Sequence, residues 1–259
     1  MASAEANGAQ VHYELSGPAS APVLVFSNSL GTNLTMWTPQ VEALGKRYRI
    51  LRYDTRGHGQ SAVTPGPYRI SQLADDVLGL LDRLGIEKVS FCGLSMGGMI
   101  GMTLALRVPE RVGKIVLCCT AAKLGSGETW NGRITAVQKG GMAAVTDAVL
   151  ERWYTPTFRA AAPEHIQRTK QMLLTTPAEG YVANCEAIRD EDLRERIAGI
   201  QIPTLILMGK HDPVVPLADG RFMAERIRGS KYVELPAAHL ANIEASGAFT
   251  KELATFLEA

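Results

Sequence analysis

The chain holds 259 residues with 27 Lys and Arg against 26 Asp and Glu, a net charge of +1, and 46% of its residues are hydrophobic. That balance excludes a disordered chain, which needs low hydrophobicity and high net charge, and it argues against nucleic-acid binding, which needs a basic excess. No run approaches the roughly 18–20 apolar residues of a membrane span, and residues 1–16 lack the basic start and apolar run of a signal peptide.

Along the chain, the first third alternates strands and helices. Val23–Ser27 and Tyr48–Tyr53 are short apolar runs of the kind that buried parallel strands carry. From Ser71 the residues Leu73, Val77, Leu80, Leu81 and Leu84 recur at helical spacing until Gly85. Val89–Cys92 predicts a strand, Ser95–Arg107 a helix stopped by Pro109, and Ile115–Cys119 a further strand. This order predicts an α/β fold with a mostly parallel, doubly wound sheet.

Between Lys123 and Ile200 the strand-like runs disappear. Three or four helical stretches take their place, carrying Met142, Val145, Val149, Trp153, Met172 and Val182. Alternation resumes with Thr204–Met208, Leu217–Ile227, Lys231–Leu235 and Ala245–Leu257. Seventy-eight residues is long for one crossover connection. The pattern predicts a helical lid over residues 123–200, inserted in a core made of 1–122 and 201–259.

The four cysteines, Cys92, Cys118, Cys119 and Cys185, show no CxxC spacing. That disfavours zinc ligation and a disulfide framework and fits buried free thiols in a reducing cytoplasm. No metal and no cofactor is expected.

Gly93-Leu94-Ser95-Met96-Gly97 matches G-x-S-x-G between a strand and a helix. Small residues there permit a sharp, strained turn that pushes the serine hydroxyl out of the backbone. The helix that follows aims its N-terminal amides at developing negative charge. A serine needs a base to take its proton, and an elbow of this kind carries the order nucleophile, acid, histidine. His12 and His58 precede Ser95, His165 lies in the expected lid, and His211 comes directly before the best acid candidate. His239 remains as base. The strand Thr204–Met208 ends in Gly209 and leads to Asp212, where a carboxylate can accept the Nδ1 proton of the base. An oxyanion hole needs two backbone N–H donors, and the amide of Met96, directly after the nucleophile, is one.

These motifs together resemble the α/β-hydrolase family along the whole chain. Asp54-Thr55-Arg56-Gly57-His58-Gly59-Gln60-Ser61 is similar to the family's D-x-R-G-x-G-x-S loop, so His58 reads as a loop residue, not a base. Set against the family's His-Gly-x loop and anchored on Trp37, the segment after Val23–Ser27 puts the second oxyanion donor at Leu30. Asn28 and Ser29 stand there in place of the usual His-Gly. Several segments resemble 3-oxoadipate enol-lactonases more narrowly: residues 27–32, 51–54, 92–98, 152–155, 180–188 and 238–244, two of them inside the expected lid. The resemblance implies hydrolysis of an enol-lactone to 3-oxoadipate in the β-ketoadipate pathway of aromatic breakdown.

Such a substrate carries a carboxylate, which wants a cation or several donors. Residues 123–170 hold seven Lys and Arg against four Asp and Glu, whereas residues 171–200 hold three against six. The basic half of the lid is therefore expected at the pocket mouth, with Arg133 as first candidate for the carboxylate and Arg152 as second. Trp130 and Trp153 are candidate walls for the lactone ring. The expected partner is a small anionic lactone, with no nucleic acid and no membrane, and a homo-oligomer is left open. Alternatives are another small-ester or C–C bond hydrolase, a perhydrolase, or a hydrolase-like ligand-binding protein, because a shared fold does not fix the chemistry.

Overall fold

The computed structural model describes residues 2–259. Two strands precede those expected from the apolar pattern: β1 (Ala2–Ala6) and β2 (Ala9–Ser16), an antiparallel pair. Asn7-Gly8 joins them with φ of 48° and 72°, the positive values that a tight hairpin turn of favourable twist requires. After them come β3 (Val23–Ser27), α1 (Thr38–Leu44), β4 (Arg49–Tyr53), α2 (Ile70–Arg83), β5 (Val89–Leu94), α3 (Met96–Arg107) and β6 (Val112–Cys118). Five helices follow in place of three or four: α4 (Gly127–Gly140), α5 (Ala143–Trp153), α6 (Pro156–Ala161), α7 (Pro163–Leu174) and α8 (Ala178–Asp190). The sheet then resumes with β7 (Thr204–Gly209), α9 (Leu217–Arg226) and β8 (Lys231–Leu235), and α10 (Ala241–Glu244) and α11 (Ser246–Glu258) close the chain.

The eight strands lie in the order β1-β2-β4-β3-β5-β6-β7-β8, parallel from β4 through to β8. From β3 the chain steps one way to β4, then crosses back over β3 to β5. Because such crossovers are right-handed, this reversal sends α1 and α2 to opposite faces of the sheet. It also opens a crevice between the carboxyl ends of β3 and β5, where ligands bind in open α/β sheets. The central strands are apolar on both faces, and Leu24, Ile50, Phe91, Ile115 and Ile206 are all fully buried.

The loop after β4 braces that crevice. Arg56 and Asp76 form a buried ion pair at 2.6 Å, and the guanidinium also donates to Asn7 O, tying α2 to the hairpin turn. Removing one partner of such a pair costs about 3–5 kcal/mol, because it strands the other charge. His58, fully buried, accepts the Gly31 N–H on Nε2 at 2.8 Å, and its Nδ1 faces Arg56 O at 3.4 Å. The ring is thus a strut between the β4 loop and the loop after β3, and it works only while Nε2 keeps its lone pair.

Burial pushes the His58 imidazole down from its ordinary 6.5 to about 4. The folded protein therefore keeps the ring neutral where the unfolded chain already protonates it. The stability this contributes is whole above pH 6.5 and is lost as pH falls toward 4. In thermal melts, the drop in Tm between pH 7 and pH 4.5 is expected to be smaller in His58→Gln than in the parent protein. Equal drops would contradict the strut.

Candidate active site

Ser95 sits between the end of β5 and the start of α3 with φ 56° and ψ −116°. L residues rarely adopt such a conformation, which costs of order 1–3 kcal/mol, and surrounding contacts must hold it. They do. The Ser95 N–H donates to Cys118 O at 2.9 Å, and the Thr120 hydroxyl donates to Ser95 O at 2.7 Å. The glycines around it are steric necessities. A Cβ on Gly93 would lie 2.1 Å from Gly97 O, one on Gly97 would lie 2.3 Å from Ser27 O, and one on Gly98 would lie 2.5 Å from the Thr120 methyl.

His239 follows β8 in a loop pressed against the loop after β7. Its Nδ1 is 2.8 Å from Asp212 Oδ2, with both side chains buried. The other Asp212 oxygen accepts the N–H groups of Val214 and Val215 at 2.7 and 3.1 Å. Asp212 is therefore fixed by its own turn before it receives the imidazole. The Asp212–His239 bond leaves Nε2 of the ring for the cavity that Ser95 also lines. As the structure stands no hydrogen bond joins Ser95 to His239, and such contacts often tighten only when substrate arrives.

The loop after β3 reaches the same point. Asn28 is fully buried: its Nδ2 donates to Tyr53 O at 2.7 Å, its Oδ1 accepts Trp37 Nε1–H at 3.0 Å, and its carbonyl accepts Gly97 N–H at 3.1 Å. Asn28 thus joins β4, Trp37 and the Ser95 turn. Leu30 follows on this anchored segment, and neither its amide nor that of Met96 donates to another described residue. Two N–H groups held rigidly and without a protein acceptor are what a developing oxyanion needs.

A cavity of about 230 Å³ receives these groups. Its walls include Ser95, His239, Leu30, Trp130, Arg133, Arg152 and Trp153, so α4 and α5 supply one side and the sheet loops the other. A larger cleft of about 730 Å³ lies beside it and shares Arg152 and Pro213, but neither Ser95 nor His239 lines it. The smaller one is the chemically relevant space. Trp153 lies over His239 at 6.5 Å with 29° between the rings, and Trp130 is fixed by donating to Leu124 O at 2.6 Å.

The arginines are the notable charges. Arg133 lies over the Trp130 ring at 4.8 Å, and neither Arg133 nor Arg152 pairs with a carboxylate among the described residues. Burial, with the neighbouring Arg133 charge second, lowers the Arg152 pKa. Two like charges sharing a low-dielectric wall favour an anion between them. Burial raises the Tyr181 hydroxyl to about 12 in spite of Arg133 nearby, so it remains a neutral donor beside the pair.

Of the sequence candidates, Ser95, His239, Leu30, Arg133, Arg152, Trp130 and Trp153 line one cavity, Asp212 backs His239, and Met96 opens α3 behind Ser95. Ser29, Leu124, Gly125, Thr129, Pro213 and Val214 also line the cavity; only the place of Ser29 beside Leu30 and of Pro213 and Val214 after Asp212 marks any of them in the sequence. The strut His58 carries no local signal of its partner Gly31, since the two belong to different loops.

A family model for the alpha/beta hydrolase fold matches residues 22–246. Over 239 residues the chain is 42% identical to 3-oxoadipate enol-lactonase 2 of Acinetobacter baylyi, spanning 92% of this chain and 90% of that one. It is 41% identical over 251 residues to 3-oxoadipate enol-lactonase 1 of the same organism, spanning 97% and 94%. The crystal structure of the enol-lactonase from Burkholderia xenovorans LB400 superposes over the full length of both chains with a TM-score of 0.98 and 47% identity. The match of fold, elbow and sequence is continuous from the first parallel strand to the last helices, and the chain belongs to the alpha/beta hydrolase family.

Proposed function

We propose that this protein is a serine hydrolase that opens 3-oxoadipate enol-lactone with water to give 3-oxoadipate. The observation that carries the reading is the pair of arginines without carboxylate partners, Arg133 and Arg152, on the wall of the small cavity that Ser95 and His239 also line. A neutral ester has no use for them, whereas a small lactone with a carboxylate side arm does. The kinship with enol-lactonases supports the same substrate.

In this reading Ser95 Oγ attacks the lactone carbonyl while His239 Nε2 takes its proton. Asp212 holds the ring in the tautomer with hydrogen on Nδ1 and stabilises the imidazolium. The Leu30 and Met96 amides hold the oxyanion. Collapse of the tetrahedral intermediate breaks the ring C–O bond. The leaving enolate stays tethered to the acyl group, takes the proton from His239, and tautomerises to the ketone, which makes reversal unfavourable. Water, deprotonated by His239, then attacks the acyl-enzyme and releases the acid and Ser95. Residues 123–200 act as a lid on the core formed by 1–122 and 201–259, and α4 and α5 deliver the arginines. Four buried free cysteines support a reducing compartment, the cytoplasm. Among the described residues no helix is long and apolar enough to cross a membrane.

Loss of enol-lactone absorbance measures the reaction directly. Ser95→Ala is expected to lower kcat by about 10⁴-fold or more with an unchanged melting temperature, and parent-like turnover would refute the nucleophile. Arg133→Gln and Arg152→Gln are each expected to lower kcat/KM for the anionic lactone about 10- to 100-fold, the scale of one charge-assisted hydrogen bond. The same variants are expected to leave an uncharged aryl ester within about threefold. An equal loss on both substrates would assign the arginines to packing instead.

A further inference from the structure

Glu244 closes α10, five residues after His239, and its carboxylate has no cationic partner among the described residues. Neutral donors surround it instead. Oε2 accepts the Ala238 N–H at 2.9 Å, directly before His239. Both oxygens accept the Thr155 N–H at 3.3 Å, and Oε1 also accepts the Thr155 hydroxyl. Thr155 belongs to the joint between α5 and α6, where its hydroxyl in turn caps α6 by accepting Phe158 N–H at 3.2 Å.

Two further contacts join the same segments. The Leu240 N–H, on the other side of His239, donates to Trp153 O at 3.1 Å, and the Trp153 ring lies over the imidazole. The peptides flanking His239 on both sides are therefore tied to residues 153–155 of the helical insert. From the sheet side the loop is held by His211 N–H donating to Ala237 O at 3.0 Å and by Asp212 itself.

We propose that Glu244 is a positioning residue that fixes the His239 loop to the α5–α6 joint, so that the seat of the insert and the aim of the imidazole are one unit. The inference rests on His239 being the base, as in the function proposed above. The peptide before His239 sets the direction in which the imidazole leaves the backbone. A carboxylate with four lone-pair sites can bind Ala238 and Thr155 together. A methionine at the same position fills similar space but replaces the carboxylate with a thioether, so both ties are lost, whereas an amide can accept from Ala238 and donate to the Thr155 hydroxyl.

The test uses p-nitrophenyl acetate as well as the enol-lactone, so that a wrong substrate assignment does not hide the result. Glu244→Met is expected to lower kcat about 10- to 100-fold on both esters with KM within about threefold, a larger loss than in Glu244→Gln, and to broaden the low-field proton resonance of the His239 Nδ1–H···Asp212 bond. Thr155→Val is expected to do the same more weakly, while Thr155→Ser, which keeps the hydroxyl, restores parent behaviour. An unchanged kcat in Glu244→Met overturns the proposal. So does a kcat loss that only tracks a fall in Tm with the low-field resonance intact. If the parent hydrolyses the aryl ester but not the enol-lactone, the substrate reading fails while the Glu244 test still stands. His239→Ala retaining full aryl esterase activity removes the base on which both rest.

Discussion

The close approach of Gly97 to the end of β3 is the constraint on which this site depends. With no side chain on Gly97, its N–H reaches Asn28 O at 3.1 Å, and a Cβ would collide with Ser27 O. That contact joins the turn carrying Ser95 to the loop carrying Leu30, the two segments on either side of the crevice between β3 and β5. Move them apart by the width of a methyl group, and Ser95 and the Leu30 amide no longer face one point, as the proposed nucleophile and oxyanion donor must. The strained φ of Ser95 is tolerated because the end of β6, through Cys118 O, and the Thr120 hydroxyl hold it.

The remaining polar groups extend the same logic outward. Asn28 fixes one side of the Leu30 loop to Trp37 and β4, and His58 fixes the other side through Gly31. Asp212 is pinned by its own turn and then pins His239. Each of these side chains is buried and hydrogen-bonded to backbone or to another fixed side chain, so its orientation is set in the empty protein. Preorganisation of this kind reduces what the solvent would otherwise have to rearrange as charge develops. Only the arginine wall departs from it. Arg133 and Arg152 have no carboxylate partner among the described residues, and burial with the neighbouring Arg133 charge disfavours the charged form of Arg152, a penalty that the anion of the proposed substrate would relieve.

The order nucleophile, acid, histidine was readable because chain order and local motif each constrain it: a Gly-rich turn after an apolar strand, a carboxylate after another, one histidine left over. The parallel strands were readable from short apolar runs for the same reason. The hairpin β1–β2 holds no continuous apolar run of the kind the buried parallel strands carry, but it was legible by another period: Ala9–Ser16 alternates apolar and polar residues strictly, as a half-buried strand does, and Asn7-Gly8 marks the turn. The insert yielded five helices rather than three or four because α6 spans six residues, too few for a periodic stripe, although Pro156 and Pro163 mark the starts of α6 and α7. Arg133 and Arg152 were suggested by a local basic excess. Their lack of partners, which gives them meaning, is visible only in three dimensions.

A net charge of +1 therefore describes this molecule poorly at the place where it matters. Ion pairs such as Arg56–Asp76, Arg111–Asp82 and Lys170–Asp147 join some charges elsewhere, and many others stand singly on the surface, where water screens them. What sets Arg133 and Arg152 apart is that they line the cavity with no carboxylate partner among the described residues. An anion entering a cavity of about 230 Å³ lined by tryptophans meets those charges at low dielectric, where each is worth far more than on the surface. The same two arginines on an open face would be screened within about 8–10 Å at physiological salt and would select nothing. In the proposed reading, selectivity for a small anion comes from where the chain places these two arginines, next to the Ser95 that the Gly97 contact holds in place.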